Sequence, residues 1–145
     1  GGVVAQWVPY HILPPRHAMS VAATFQAVFP DSVLWVDPQG KTGILLGRHG
    51  AGDTNFASAW PGLERPGPPR SLDAAAVRKA LRLDVEGLKR YGRLGTVITD
   101  DNQLLSYGRA RQDQAQFGQD MGALNLDLVE RFREAPSHGP VPASP

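Results

Sequence analysis

The chain has 145 residues, the size of one domain, and its 15 basic and 14 acidic side chains leave a net charge of +1. A charge balance this even does not favour a polybasic protein that binds nucleic acid or a membrane surface. The sequence contains no cysteine, which excludes disulfide bridges, thiol catalysis and cysteine-ligated zinc.

The lengths of the apolar runs bear on the cellular location of the protein. No apolar run approaches the roughly 20 residues of a membrane-spanning helix, and no signal peptide opens the chain. We therefore expect a cytoplasmic protein with no nucleic-acid partner and no membrane contact by this chain itself. Because the chain opens directly with a strand pattern, we also expect it to be part of a longer protein.

The first predicted element is a strand at residues 3–8 (VVAQWV). A nearly unbroken β-branched run is typical of a strand covered on both faces. Gln6, Trp7 and Tyr10 stand at its carboxyl end, the edge where open parallel sheets bind ligands. Gln6 can hydrogen-bond a polar ligand, and the rings of Trp7 and Tyr10 can wall an apolar or cationic one. Alternatively, Trp7 belongs to the core and Gln6 satisfies a nearby backbone group.

A helix and a hairpin are predicted next. Pro14-Pro15 can open a helix, because proline is tolerated in a first turn. Apolar residues at positions 18, 19, 22, 25 and 29 form one helical stripe, and Pro30 ends it. Strand patterns at 32–36 and 43–47 flank the turn residues 37–40, which predicts an antiparallel hairpin. Residues 1–47 thus predict the end of a mixed sheet that has an antiparallel edge on a parallel core.

The second half of the chain differs in composition. Residues 48–70 contain four glycines and four prolines, which predicts a long loop or linker. Residues 71–134 predict a helical segment that includes the leucines at 81 and 83, with Asp84 capping a short second helix. Residues 70–93 carry seven basic and three acidic side chains, which predicts a solvated helix face or, alternatively, anion binding. The proline-rich tail 135–145 predicts disorder.

Asp100 and Asp101 form a second candidate site, flanked by Thr99 and Asn102. Two adjacent carboxylates can hold an ammonium group or a metal. Alternatively, their oxygens cap a turn by accepting neighbouring backbone N–H groups. The four histidines are scattered, and neither a Gly-rich phosphate loop nor a Gly-x-Ser-x-Gly elbow is present. The sequence therefore predicts no metal site and no catalytic residue.

Two stretches resemble the spermidine/spermine synthase (polyamine aminopropyltransferase) family. The first comprises residues 1–9 (GGVVAQWVP), the helix end 24–30 (TFQAVFP) and the strand 33–35 (VLW). The second, residues 98–107 (ITDDNQLLSY), is similar to the TDD-N/R-P-L-L-E-Y signature of bacterial synthase-like proteins. The resemblance implies an α/β fold: the C-terminal part of a Rossmann-type, methyltransferase-like, doubly wound sheet with an antiparallel edge hairpin, plus a helical C-terminal extension.

Members of this family transfer an aminopropyl group from decarboxylated S-adenosylmethionine to a diamine such as putrescine. The resemblance implies that Gln6 touches the diamine. The family's cofactor loop and catalytic aspartate would precede Gly1, so it also implies that this chain alone is inactive and binds no cofactor. Many bacterial relatives are fused to membrane-spanning segments. The resemblance therefore leaves open that the longer protein is tethered to a membrane. The candidate substrate-binding residues are therefore Gln6, Trp7, Tyr10, Asp100 and Asp101.

Two alternatives stay open at this stage. A non-catalytic interaction or oligomerisation module is favoured by departures from the family pattern: residues 37–42 contain no tyrosine, Gln103 replaces a proline and Ser106 replaces a glutamate. A fragment of a small-molecule S-adenosylmethionine-dependent methyltransferase would share the same fold. An open sheet cut at its first strand would expose an apolar edge, so we expect a homo-oligomer.

Overall fold

A computed structural model describes residues 2–37, 39–49, 74–102, 104–107 and 120–133. These residues form four strands and several helices, so the mixed α/β class is confirmed. Residues 50–70 of the predicted 48–70 loop and the whole predicted tail 135–145 lie outside the described residues, while Arg48 is the last residue of a strand. The elements, in chain order, are β1 (Val3–Val8), α1 (Pro15–Val28), β2 (Val33–Asp37), β3 (Thr42–Arg48), α2 (Ala74–Ala80), β4 (Leu81–Leu83), α3 (Val85–Gly92), α4 (Leu104–Tyr107) and α5 (Met121–Arg131).

The four strands form one sheet in the order β1-β3-β2-β4, and each neighbouring pair is antiparallel. The predicted hairpin of β2 and β3 is confirmed, but β3 is an inner strand of this sheet and not its edge. It lies between β1 and β2, with Leu45 opposite both Gln6 and Leu34. As a result, β1 and β2 run in the same direction on the two sides of β3.

One face of the sheet carries the hydrophobic core. Directly opposite residues of an antiparallel pair share a face, so the register places Val8, Leu45 and Leu34 on this side. Helices α1, α3 and α5 add core residues from the same side of the sheet. The buried cluster consists of Val8, Tyr10, Ala18, Ala22, Phe25, Leu34, Val36, Leu45, Leu83, Leu88, Tyr91 and Val129.

Strand β1 is far more exposed than its sequence predicts. Val8 is its one buried residue, while Val3 and Trp7 are each 55% exposed. The prediction that β1 is covered on both faces is wrong, because β1 forms the end of the sheet and pairs with β3 alone among the described strands. An apolar run therefore marks an edge strand here.

Helix α1 fits its predicted position closely. It begins at Pro15 and closes where the Phe29 amide donates to the Phe25 carbonyl at 2.8 Å. Its C-terminal end passes so near β3 that a Cβ added to Gly47 would lie 2.6 Å from Cβ of Phe29. Since Gly47 pairs with Val4, this end of α1 lies over the N-terminal end of β1.

The region after residue 80 corrects a helix prediction. Leu81 and Leu83 were predicted on helical positions, but they form β4 and pair with Trp35 and Leu34 of β2. Their period-2 spacing lets Leu83 enter the core, where it is 1% exposed. The capping role of Asp84 is confirmed, because its Oδ1 accepts the Gly87 amide at 2.7 Å and starts α3.

Helix α5 lies within the predicted helical segment 71–134. Asp120 caps it by accepting the Ala123 amide at 3.0 Å, and Lys41 Nζ donates to the other carboxylate oxygen at 2.5 Å. Both contacts hold the pKa of the Asp120 carboxyl below its usual value, the Lys41 hydrogen bond being the larger cause. None of the helices in the described part of the chain is long and apolar enough to cross a membrane.

Candidate functional site

Gln6 and Trp7 lie at the accessible end of β1. Gln6 is exposed, and its Nε2 donates to the Trp7 carbonyl at 2.9 Å. The Trp7 ring is 55% exposed, with its centroid 6.2 Å from that of the His11 ring. Neighbouring side chains of a strand point to opposite faces, so the Gln6 amide is on the helix-covered face and the Trp7 ring is on the other.

Tyr10 occupies the core and not the surface of this end. It is 1% exposed, and its ring lies against Gly43, where an added Cβ would be 3.0 Å from the ring atom Cε2. Burial raises the pKa of the Tyr10 hydroxyl well above its usual value, and the neighbouring Tyr91 phenol raises it further. Burial also raises the pKa of Tyr91. Both phenols therefore stay neutral at any physiological pH.

A buried asparagine fixes the loop that contains Tyr10. Asn125 of α5 is fully buried, and its Nδ2 contacts three carbonyl oxygens: Tyr10 at 3.0 Å, Leu13 at 2.7 Å and Met121 at 3.0 Å. A buried carbonyl without a donor is costly, so this amide lets the β1–α1 loop pack beneath α5. The sequence analysis did not single out Asn125, although a lone amide among the apolar residues of an amphipathic helix is a recognisable signal.

Asp100 and Asp101 are exposed and lie in a turn. The hydrogen bonds of this turn are made by the flanking residues Thr99 and Asn102. The Thr99 amide donates to Asn102 Oδ1 at 3.1 Å, and the Asn102 amide donates to Thr99 Oγ1 at 3.2 Å. Asn102 Nδ2 also donates to the Val97 carbonyl at 2.7 Å. Thr99 and Asn102 thus stabilise this turn, and the two carboxylates project from it into solvent.

The segment 94–99, which follows α3, lies along α1. Ser20 Oγ accepts the Thr96 amide at 3.0 Å, and Thr24 Oγ1 accepts the Ile98 amide at 2.8 Å. The spacing matches, because four helical residues rise about 6.0 Å and two extended residues about 6.6 Å. We call this pair of contacts the hydroxyl ladder. It was not predicted from the sequence.

The hydroxyl ladder shows how the two candidate clusters are related. The segment passes Ser20 before Thr24, so it runs in the direction of α1 and carries Asp100 and Asp101 toward the helix C-terminal end. Gln6 and Trp7 lie near the opposite end, where β1 leads into the start of α1. The structure therefore does not bring the carboxylate pair to the Gln6 end of the sheet.

A shallow groove of about 310 Å³ lies where α1 meets α3 and the segment after it. Gln26, Lys89 and Arg93 are among its lining residues. In the orientation that satisfies both of its polar atoms, the Gln26 amide bridges the Leu88 carbonyl and the Lys89 amide at 3.1 Å each. Lys89 Nζ donates to Glu86 at 2.7 Å. The polar groups of this groove are thus largely engaged within the protein.

The described residues contain no group of three His, Cys, Asp or Glu side chains that could hold a metal ion. Comparison with known proteins adds no assignment. No protein-family model matches the chain, and no curated protein or solved structure has a significant match to it.

Proposed function

We propose that the chain is the C-terminal portion of a spermidine-synthase-like α/β domain and that it carries Gln6 at the diamine-binding end of that domain. The observation that supports this most is the connectivity. Strands β1 and β2 run in the same direction, α1 joins them, and β3 returns antiparallel between them. This is the strand, helix and hairpin order that the resemblance implies for the family.

The chemistry of Gln6 suits an ammonium group. Its Oε1 is an acceptor with two lone pairs, and the side chain is exposed at the carboxyl end of β1. A diamine nitrogen placed there would donate to Oε1 while Nε2 keeps its bond to the Trp7 carbonyl. Asp100 and Asp101 are left out of this proposed site, because the segment that holds them runs toward the other end of α1.

Aminopropyl transfer also requires a carboxylate base and a site that aligns the amine with the carbon next to the sulfonium. The described part of the chain places neither a carboxylate base nor such an aligning site beside Gln6. We therefore propose that this chain is part of a longer polypeptide, which binds decarboxylated S-adenosylmethionine and supplies the carboxylate base. By itself, the chain forms one wall of the site and has no activity.

The test is an aminopropyl-transfer assay with putrescine and decarboxylated S-adenosylmethionine. It compares the 145-residue chain with the full polypeptide that its gene encodes. We expect spermidine from the full polypeptide and none from the chain alone. In the full polypeptide, Gln6→Ala should raise KM for putrescine about tenfold or more, as expected for a lost hydrogen bond to a charged group.

Val4→Ala is the matched control, because Val4 lies two residues away on the same face of β1 and is 43% exposed. It should leave KM unchanged. Spermidine formation by the 145-residue chain alone would contradict the proposal. A full polypeptide that makes no spermidine, or whose KM for putrescine is unchanged by Gln6→Ala, would contradict it as well.

The second candidate is a non-catalytic interaction module. The open apolar surface of the sheet favours it, since Val3, Trp7 and Ile44 share one face and are 43–55% exposed. Exposed apolar patches of this kind often mark protein contacts. If the full polypeptide neither makes spermidine nor binds putrescine, this second function is favoured.

A further inference from the structure

The carboxylate of Asp120 lies at the same end of the sheet as Gln6. Gln6 is opposite Leu45, and Lys41 precedes Leu45 by four residues, in the direction of the carboxyl end of β1. Lys41 Nζ donates to Asp120 Oδ2 at 2.5 Å, which places this carboxylate past the end of the strand. Helix α5, which Asp120 caps, packs on the side of the sheet that also carries the Gln6 amide.

We propose that the Asp120 carboxylate binds the second ammonium group of the diamine whose first nitrogen lies at Gln6. This inference rests on the proposed function, and it makes the site selective for diamines over monoamines. In this structure the Lys41 ammonium group occupies the carboxylate. A diamine therefore has to displace Lys41 from Asp120 when it binds.

Lys41 shows which chemistry this surface accepts. Its side chain is a four-carbon chain that ends in an ammonium group, and putrescine is a four-carbon chain with an ammonium group at each end. The Lys41 chain lies against α5, where a Cβ added to Gly122 would be 2.9 Å from Cβ of Lys41 and 3.0 Å from its Cγ. The glycine therefore leaves room for such a chain beside the carboxylate.

The carboxyl group of Asp120 is available to a ligand. The Asp120 side chain is 54% exposed, and the Lys41 contact and the helix cap hold its pKa below the usual value. It therefore stays charged at neutral pH, which suits a cation-binding group and not the base of the reaction. Asp37 at the same end is committed to its turn, because its two oxygens accept the Gln39 and Gly40 amides at 3.0 and 3.1 Å.

The distance along the sheet suits a short diamine. Four residues of strand separate the levels of Gln6 and Lys41, which is about 13 Å. The nitrogens of an extended four-carbon diamine are five bonds apart, about 6 Å by the dimensions of an extended chain. A hydrogen bond of about 2.9 Å at each end brings the span between the two acceptors to about 12 Å. Gln6 and Asp120 can therefore hold the two ends of one putrescine molecule.

The test uses the full polypeptide that the gene encodes, with putrescine as substrate and butylamine as a competing ligand. Butylamine has the same carbon chain but a single nitrogen. Asp120→Asn removes the charge and keeps a good helix cap. It should raise KM for putrescine about tenfold or more, as expected for a lost charge-assisted hydrogen bond. The inhibition constant of butylamine should not change.

A second variant tests the competition by Lys41. Lys41→Met removes the ammonium group and keeps an unbranched chain against Gly122. It should lower KM for putrescine about threefold, the scale of an exposed ion pair. Asp127→Asn is the matched control, because Asp127 is an exposed carboxylate of the same helix that pairs with Arg131. This control should leave KM for putrescine unchanged.

Gln6→Ala separates this inference from the proposed function. If Gln6→Ala raises KM for putrescine and Asp120→Asn does not, the inference is overturned and the proposed function stands. An Asp120→Asn variant that weakens butylamine as much as putrescine would also overturn the inference, because the loss would not concern the second ammonium group. If neither variant changes KM, or if no spermidine forms, the proposed function and the inference both fail.

Discussion

At the scale of single residues, the buried side chain of Asn125 joins two parts of the protein that are more than a hundred residues apart in the sequence. Its one amide nitrogen contacts two carbonyls of the loop between β1 and α1 and one carbonyl of its own helix. We predict that Asn125→Ala lowers the free energy of unfolding by about 2–3 kcal/mol, because buried carbonyls lose their donor and a cavity opens. Urea denaturation measures this change.

Leu124→Ala is the control for Asn125→Ala. Leu124 is the preceding residue of α5 and is 42% exposed, so its truncation should cost well under 1 kcal/mol. Equal losses for the two variants would contradict the stabilising role assigned to the hydrogen bonds between Asn125 and the loop.

His17 gives the protein a predicted pH dependence. It is 2% exposed, and its Nε2 has no hydrogen-bond partner among the described residues. Burial, and then the nearby Arg16 charge, lower its pKa below the usual 6.5. The unfolded chain therefore takes up this proton first as pH falls. Stability is complete above pH 6.5 and is lost as the pH drops from there toward the lowered pKa.

The measurement is the urea midpoint of unfolding as a function of pH from neutral to mildly acidic. The natural chain should lose stability in this range, and His17→Gln should flatten the curve. His11→Gln removes an exposed imidazole and should keep the natural slope. A slope that His17→Gln leaves unchanged would show that other groups cause it.

At the scale of elements, the crossing of α1 over β3 depends on a glycine. A Cβ on Gly47 would lie 2.6–2.8 Å from atoms of Phe25 and Phe29. We predict that Gly47→Ala lowers the unfolding free energy by about 1–3 kcal/mol, because a packed core resists an added methyl group. Gly2→Ala is the control: nothing lies within 4 Å of its Cβ position, and thermal unfolding should not change.

The hydroxyl ladder leads to a second prediction at this scale. Thr24→Val keeps the shape of the side chain but removes the acceptor of the Ile98 amide. Hydrogen exchange at that amide should accelerate, with a stability loss of about 1 kcal/mol. Thr24→Ser retains the hydroxyl and should preserve the protection. If both variants exchange alike, segment 94–99 is held to α1 by something other than this bond.

Local sequence signals predicted the elements that have strong start and stop residues. Pro15 and Pro30 bracket α1, and Asp84 starts α3 as expected. Strand β4 was missed, because it has three residues and directly follows a predicted helical stretch, so only its pairing with β2 identifies it as a strand. Short apolar runs carry this ambiguity in general.

At the scale of the whole molecule, the sequence predicted the hairpin of β2 and β3 but not the strand order. The predicted parallel core is not seen among the described strands, whose neighbouring pairs are all antiparallel. Strand order depends on contacts between distant residues, such as Gln6 with Leu45, which no local pattern records. The same holds for the candidate site. Gln6 and Trp7 were predicted to share one site because they are adjacent in the sequence, yet their side chains lie on opposite faces of the sheet. Tyr10, the third predicted member, packs into the core.

The strand order β1-β3-β2 is the observation on which the proposed domain depends, so its direct measurement is the most informative test. Nuclear Overhauser contacts between backbone protons would provide it. We predict contacts from Ile44 to both Trp7 and Trp35, the pairs on either side of β3. Contacts directly between the backbones of Trp7 and Trp35, with none from Trp7 to Ile44, would contradict this strand order and the domain proposed from it.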